Sequence, residues 1–250
     1  MDFSTKTALI TGSGQGVGEG IARALASYGA NVSLVGRTFS KVEAVAMDIN
    51  KNGGSAIAIE CDVKSNESIN QSIETTLSNF NSLNILVNNA QEVPLGNILD
   101  VTDESFINGW NSGPLATFRF MKASHPYLKG GGKVINLASS SALRPDSNSY
   151  GAYAAVKESI RSLSRAAAVE WGQDNILVNC IMPLAKSTGM DWWMNEHPNE
   201  ADEFLKTIPL GRVGDCQNDI GQAVCHILSD GMNYITGSTI MIDGGQAYLR

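Results

Sequence analysis

A short apolar run, TALIT at residues 7–11, breaks into the glycine-rich turn TGSGQGVG and then into the amphipathic stretch EGIARALASYGA. That order of buried strand, tight turn and helix restricts the fold more than any other part of the chain. Glycine lets a backbone take left-handed conformations and come close to a ligand. The helix that follows offers free N–H groups and a partial positive charge at its N-terminus, which suits a phosphate. The spacing is not GxGxxG, because position 17 is Val; it is TGxxxGxG through Gly12, Gly16 and Gly18. Gly12, Ser13, Gly16, Val17 and Gly18 are therefore the candidate pyrophosphate cradle.

The same alternation runs on to the C-terminus. NVSLVG (31–36), AIAIECDV (56–63), LNILVNNA (83–90), KVINLAS (133–139), ILVNCIMP (176–183) and STIMIDGG (238–245) read as strands. Helical patterns fall between them, from about Ser40 to Lys51 and near 67–80, 103–128 and 150–172. Strands alternating with helices imply right-handed βαβ units. The expected class is α/β: a single-domain, doubly wound, Rossmann-like parallel β-sheet with helices on both faces. No linker or internal repeat divides residues 1–250, and a substrate-loop insertion is expected at about 186–210.

Charge and composition narrow the function. The net charge is −7 with no run of Lys or Arg, which argues against nucleic acid and anionic membrane surfaces as partners. No apolar run approaches the ~20 residues of a membrane span. The opening residues, MDFSTKTALITG, carry no secretion signal, and Cys61, Cys180, Cys216 and Cys225 have no framework spacing. Reduced cysteines in a cytoplasmic protein are expected. His125, His197 and His226 lack metal-ligand spacing, and no Ser–His–Asp set is visible.

The chemistry centres on YAAVK. Tyr153 and Lys157 share one face of a helix that turns every ~3.6 residues. A free phenol has a pKa near ~10. An ammonium ~5 Å away at an effective dielectric of ~20 favours phenolate by roughly 3 kcal/mol. The sequence thus predicts a Tyr153 phenol lowered by Lys157 toward the working range of a general acid/base. At the end of the second strand, where Rossmann-like sites choose between cofactors, an acid would repel a 2′-phosphate. Here stand Arg37 and Thr38, and Arg37 can pair with a phosphate in fork geometry while Ser13 adds a hydroxyl. NADPH is expected over NADH.

TGSGQGVG, CDV at 61–63, NNA at 88–90, YAAVK, and ITG with IDGG near the C-terminus together resemble the short-chain dehydrogenase/reductase family, from Lys6 to about Gln246. The resemblance implies a nicotinamide enzyme, dimeric or tetrameric, that interconverts alcohols and carbonyls. By the same resemblance, Tyr153 is the general acid/base, and Lys157 bonds the nicotinamide ribose and tunes the phenol. Asp62 and Val63 frame the adenine, Asn88 and Ala90 line the cleft, and Pro183 and Thr188 meet the carboxamide end. A serine should bond the reacting oxygen. Strand position favours Ser139; counting back from Tyr153 by the family's usual spacing gives Ser140, and Ser141 reads as a turn residue.

Three positions depart from the family pattern. Gln91 replaces the glycine of NNAG, and Leu184 the glycine after Pro183. The family's catalytic asparagine aligns near Gly113; Asn111, two positions off, is turned some ~200° away on a helix. Gly113-Pro114 is expected to kink that helix and to free backbone carbonyls that hold the relay water. Residues 189–209 are rich in large apolar groups (Met190, Trp192, Trp193, Met194, Phe204) and form either a lid over a hydrophobic carbonyl substrate or a helix pair packed on the body or a neighbouring subunit. The alternatives to a carbonyl reductase or alcohol dehydrogenase are two. One is a 3-oxoacyl carrier-protein reductase, docking through Lys122, Lys129, Arg161 and Arg165. The other is a cofactor-binding regulator without turnover.

Overall fold

The computed structural model describes residues 1–143 and 150–247, with only the backbone of Thr188 and Gly189. Strand β1 (Thr7–Thr11) is buried at every position. It pairs in parallel with β2 (Asn31–Gly36) on one side and β4 (Ile85–Asn88) on the other. Beyond them lie β3 (Ser55–Glu60), β5 (Lys133–Leu137), β6 (Leu177–Pro183) and β7 (Thr239–Ile242), giving one sheet in the order β3-β2-β1-β4-β5-β6-β7. The chain winds outward from β1 to β3 and then crosses back to β4. That reversal leaves a crevice beyond the carboxyl ends of β1 and β4.

Helices cover both faces. Helices α1 (Gly16–Ser27), α2 (Phe39–Lys51) and α9 (Gln222–Leu228) bury Ile21, Leu25, Val45, Val224 and Leu228 against Ala8, Ile10 and Leu34. On the other face α3 (Asn66–Phe80), α5 (Ala116–Leu128) and α6 (Gly151–Trp171) bury Ile69, Phe120, Leu128 and Ala168 against Leu9, Val35 and Val178. Ala8 and Ile10 serve one core and Leu9 the other, as the two-residue period of a strand requires. The helix before β5 is α4 (Asp103–Trp110), continued through a π-helical turn (Asn111–Leu115) into α5. Two short helices, α7 (Thr188–Glu196) and α8 (Pro198–Lys206), follow β6.

A second π-helical turn, Cys216–Gly221, packs directly on α1. A Cβ on Gly20 would lie 2.2 Å from the carbonyl oxygen of Cys216, and one on Gly221 would lie 2.6 Å from that of Gly20. Two glycines thus bring two backbones into contact. Gly20→Ala should cost ~1–3 kcal/mol by overpacking and lower Tm. Gly172→Ala, which meets nothing within 4 Å among the described residues, should not lower it. Equal Tm values for the two variants would contradict this packing.

Candidate active site

The glycine loop is clasped to the end of β4 by two side chains. Thr11 Oγ1 accepts from the backbone N–H of Asn89 at 2.9 Å and of Ala90 at 3.0 Å. In return Asn89 Nδ2 donates to the carbonyls of Thr11 and Gly12, both at 2.9 Å. A Cβ on Gly12 would fall 2.8 Å from that amide nitrogen, and one on Gly18 only 2.5 Å from it. Gly12 and Gly18 are thus required by the clasp. Gly16 is held at φ +62° with nothing within 4 Å of its Cβ position.

A cleft of about 360 Å³ opens beside this loop. Arg37, Thr38, Asp62, Val63, Gln91 and Ser187 are among the residues that line it. Several of the expected cradle residues turn elsewhere. Ser13 is wholly buried, and its hydroxyl donates to the Ile10 carbonyl at 3.0 Å, so it makes no contact in the cleft. Val17 packs on the core beneath the sheet. Asn88 faces β5, donating to Asn136 Oδ1 at 2.8 Å; strand alternation gives the cleft to Asn89 instead. Arg37 is two-thirds exposed and paired at 2.7 Å with Glu92 Oε1, which also receives Lys64 Nζ at 3.1 Å.

Ser139 follows β5 in extended conformation and caps a 3₁₀ turn, Ser140–Ala142, by accepting from the Ser141 N–H at 3.2 Å. Its hydroxyl is also near enough to the Tyr153 phenol to oppose the rise in that group's pKa. Of the two candidate serines, Ser139 is the one that acts on the phenol, while Ser140 opens the turn. Tyr153 stands in the first turn of α6, with the Tyr150 ring edge-on at 6.0 Å. One helical turn on, Lys157 is only 3% exposed and donates from Nζ to the Leu137 carbonyl at 2.8 Å, 5.6 Å from the Tyr153 ring centroid.

The electrostatic balance reverses the sequence-based expectation. Burial pushes the Tyr153 phenol up to about 12 against the opposing pull of Ser139. Burial likewise pushes the Lys157 ammonium down to about 8. The expected lowering by Lys157 assumed an ammonium aimed at the phenol oxygen in a screened medium. Here the ammonium is bound to Leu137, and desolvation of both groups dominates.

The expected kink at Gly113-Pro114 is a π turn inside a continuous helix. In π register each carbonyl is served from five residues on, which hands the carbonyl of Trp110 from Pro114, lacking an N–H, to Leu115. The proposal of a free backbone carbonyl also needs correction at Gly109. Its carbonyl accepts from Gln91 Nε2 at 2.9 Å. Glu92 N–H donates to Ser112 Oγ at 3.0 Å, so the loop after β4 is stapled to the helix twice.

Pro183 closes β6, half-buried. Thr188 begins α7, but its side chain lies outside the described residues. Its neighbour Ser187 lines the cleft and caps α7 by accepting from Met190 N–H at 3.1 Å. In the segment that follows β6, Trp193 meets Phe204 edge-on at 5.8 Å, which joins α7 to α8, while Trp192 is 63% exposed. His125 is structural: it binds Asp174 at 2.9 Å and stacks near Trp171. Among the described residues no cluster of His, Cys, Asp or Glu could hold a metal ion. Asn89, Ser112, Ser187 and Glu92 were not picked out from sequence. The second Asn of NNA was the available signal for Asn89; nothing local marks the others.

A family model described as enoyl-(acyl carrier protein) reductase matches residues 12–247. A 12α-hydroxysteroid dehydrogenase of a Clostridium species is 36% identical over 252 residues, covering 97% of each chain. A 3-oxoacyl-[acyl-carrier-protein] reductase of Chlamydia trachomatis is 33% identical over 245 residues, also 97% of each. The chain belongs to the short-chain dehydrogenase/reductase family. A solved short-chain dehydrogenase/reductase from Serratia marcescens superposes with a TM-score of 0.91 at 27% identity, covering 99% of this chain and 100% of its own. The fold and the oxidoreductase class follow from that membership.

Lys157 gives this member of the family a characteristic stability profile. Its folded pKa of about 8 lies below the ordinary 10.5, so between those values the unfolded chain binds the extra proton and stability rises with pH. Above 10.0 Tyr153 acts in the opposite sense, because the folded phenol keeps its proton to about 12. Thermal melts from about pH 8 to 10.0 should therefore show Tm rising relative to Lys157→Met. Parallel curves for the two proteins would mean that Lys157 is not desolvated as described.

Proposed function

We propose that this enzyme transfers a hydride between NADPH and a bulky hydrophobic ketone or secondary alcohol, with Ser139, Tyr153 and Lys157 as its proton-handling group. The observation that carries the reading is the buried Lys157, bound to the Leu137 carbonyl at 2.8 Å and 5.6 Å from the Tyr153 ring, with the Ser139 hydroxyl near enough to act on the phenol. The chain fits a dinucleotide: Gly16 opens onto free space at the N-terminus of a twelve-residue helix, and the cleft continues past Arg37 and Asp62. A bound nicotinamide supplies or takes the hydride. Tyr153, kept protonated by burial, gives its proton to the carbonyl oxygen as that oxygen gains charge. Ser139 donates to the same oxygen and fixes its position. Lys157 still carries its proton at neutral pH, and its charge lowers the cost of the phenolate left behind.

Arg37 is the proposed selector for the 2′-phosphate, which would replace Glu92 as its partner. Thr38 adds a hydroxyl at the same end. Asp62, Val63, Ala90 and Pro183 frame the remainder of the cofactor, with Thr188 at the carboxamide. NAD is the poorer ligand on this reading. The 12α-hydroxysteroid relative and the apolar side chains of Met190, Trp192 and Met194 support a hydroxysteroid-like substrate beneath α7. An acyl carrier protein is less favoured, because Lys129 is paired with Asp174 and both Arg161 and Arg165 with Glu158, leaving little free basic surface. Phe106, Ile107 and Trp110 on α4, with Phe118 on α5, are exposed and suit a face shared with a second copy in a cytoplasmic dimer or tetramer.

A panel of hydroxysteroids, bulky ketones and alcohols, read by NADPH absorbance, tests the function. Tyr153→Phe should lower kcat by ~10²-fold or more while leaving the cofactor Kd unchanged. A variant as active as the wild type would remove Tyr153 from the chemistry; a wild type inactive on every compound would favour the regulator. Arg37→Ala should raise the Kd of NADPH by ~10-fold or more, the value of a lost charge-assisted hydrogen bond, and leave that of NADH alone. Equal wild-type affinities for the two cofactors would refute the NADPH preference.

A further inference from the structure

We infer that Gln91 and Gly113 are a matched pair, in which a carboxamide carried on the loop after β4 positions the proton-handling helix and leaves its buried oxygen to be met by an O–H donor. The inference rests on the reductase reading above and adds a positioning residue to it.

The steric relation is one of exclusion. A Cβ at Gly113 would lie 2.2 Å from Gln91 Oε1 and 2.9 Å from both Cδ and Nε2. The carboxamide therefore occupies the volume that any side chain at 113 would enter. A glycine at 113 and a glutamine at 91 explain one another, although 22 residues separate them.

The hydrogen bonds fix which way the amide points. Nε2 donates to the Glu92 carbonyl at 2.6 Å and to the Gly109 carbonyl at 2.9 Å. A flipped amide would set its oxygen against two carbonyl oxygens, so the orientation is determined by the network. Both amide hydrogens are spent on holding the loop to the helix. Oε1 is consequently turned the other way, and among the described residues this buried atom has no hydrogen-bond partner. Leaving such an acceptor unpaired costs ~1–3 kcal/mol. Gln91 lines the cleft, while Oε1 itself is covered on the Gly113 side. A water or a hydroxyl of the bound ligand has the required chemistry.

The location gives the arrangement a role. The π turn that Gln91 fixes, Asn111–Leu115, packs against α6, the helix that carries Tyr153 and Lys157. Lys157 Nζ spends one of its three hydrogens on Leu137 among the described residues. Loosening Gln91 frees the π turn and with it the wall that sets α6 and the ordered donor beside it.

Four variants test the pair: Gln91→Leu, Gln91→Gly, Gly113→Asn and the double change Gln91→Gly with Gly113→Asn. Gln91→Leu keeps bulk and removes both amide functions. It should lower kcat by ~10-fold, leave KM within ~2-fold, and shift the pH at which the rate falls off. If Oε1 serves a ligand hydroxyl, the NADPH Kd rises as well; if it holds a water, Kd stays fixed. Gly113→Asn and Gln91→Gly should each lower Tm and kcat, the first by collision and the second by removing the Gln91 Nε2 bonds to the Glu92 and Gly109 carbonyls. The double variant, with its carboxamide now on the helix, should recover both beyond the sum of the single effects.

A Gln91→Leu protein with wild-type kcat and pH profile would overturn the positioning role. Additive Tm losses in the double variant would overturn the pairing. The Tm cycle needs no substrate, so it reads the pair even if no carbonyl compound is turned over; that second failure would fall on the proposed function alone.

Discussion

The clasp between Thr11 and Asn89 is the interaction on which the site depends. A doubly wound sheet must part its chain connections at one place, here beyond β1 and β4, and strand ends there carry backbone groups with no ladder partner. One hydroxyl and one carboxamide satisfy four of these contacts. The clasp in turn demands glycine at 12 and 18, which shapes the loop that faces the cleft. It also fixes where the chain leaves β4, and so where Gln91 and Glu92 meet the helix and the mouth of the cleft. A sequence of local satisfactions thus links the phosphate end of the site to the proton end.

Desolvation governs the other half. Tyr153 and Lys157 are both driven toward their neutral forms by burial, the phenol to about 12 and the ammonium to about 8. A protonated phenol is the form required to donate to a carbonyl, so this balance suits reduction without any charge on the tyrosine. Working in the alcohol-oxidising direction requires the phenolate, and the nearby Lys157 charge is then the stabilising group. Its presence below about 8 ties the two residues to one proton ledger.

Much of this was legible in the chain. TALIT and NVSLVG are the strands they were read as, residue for residue, because a buried parallel strand is a continuous apolar run ending at glycine or threonine. Strand register favours Ser139 over Ser140, and it is Ser139 whose hydroxyl acts on the phenol. What failed to show was long-range or alternated. Asn88 and Asn89 are adjacent identical letters, and only the two-residue period of β4 decides which faces the cleft. Ser13 sits in the glycine loop by sequence yet turns inward to Ile10. Gln91 and Gly113 stood out as separate departures, and their complementarity exists only once the helix lies over the loop. The sequence predicts a lowered Tyr153 phenol and burial raises it, because pairwise charge is visible in a sequence and desolvation is not.

The most direct test of this account follows the hydride itself. Wild-type protein should be incubated with NADPH deuterated at the transferable nicotinamide position and a bulky ketone accepted by the enzyme, and the product alcohol analysed by mass spectrometry. The account predicts one deuterium on the carbinol carbon per NADPH consumed, with the hydroxyl proton drawn from solvent through Tyr153. Alcohol formed without label at that carbon, or NADPH consumed without labelled alcohol, would contradict it.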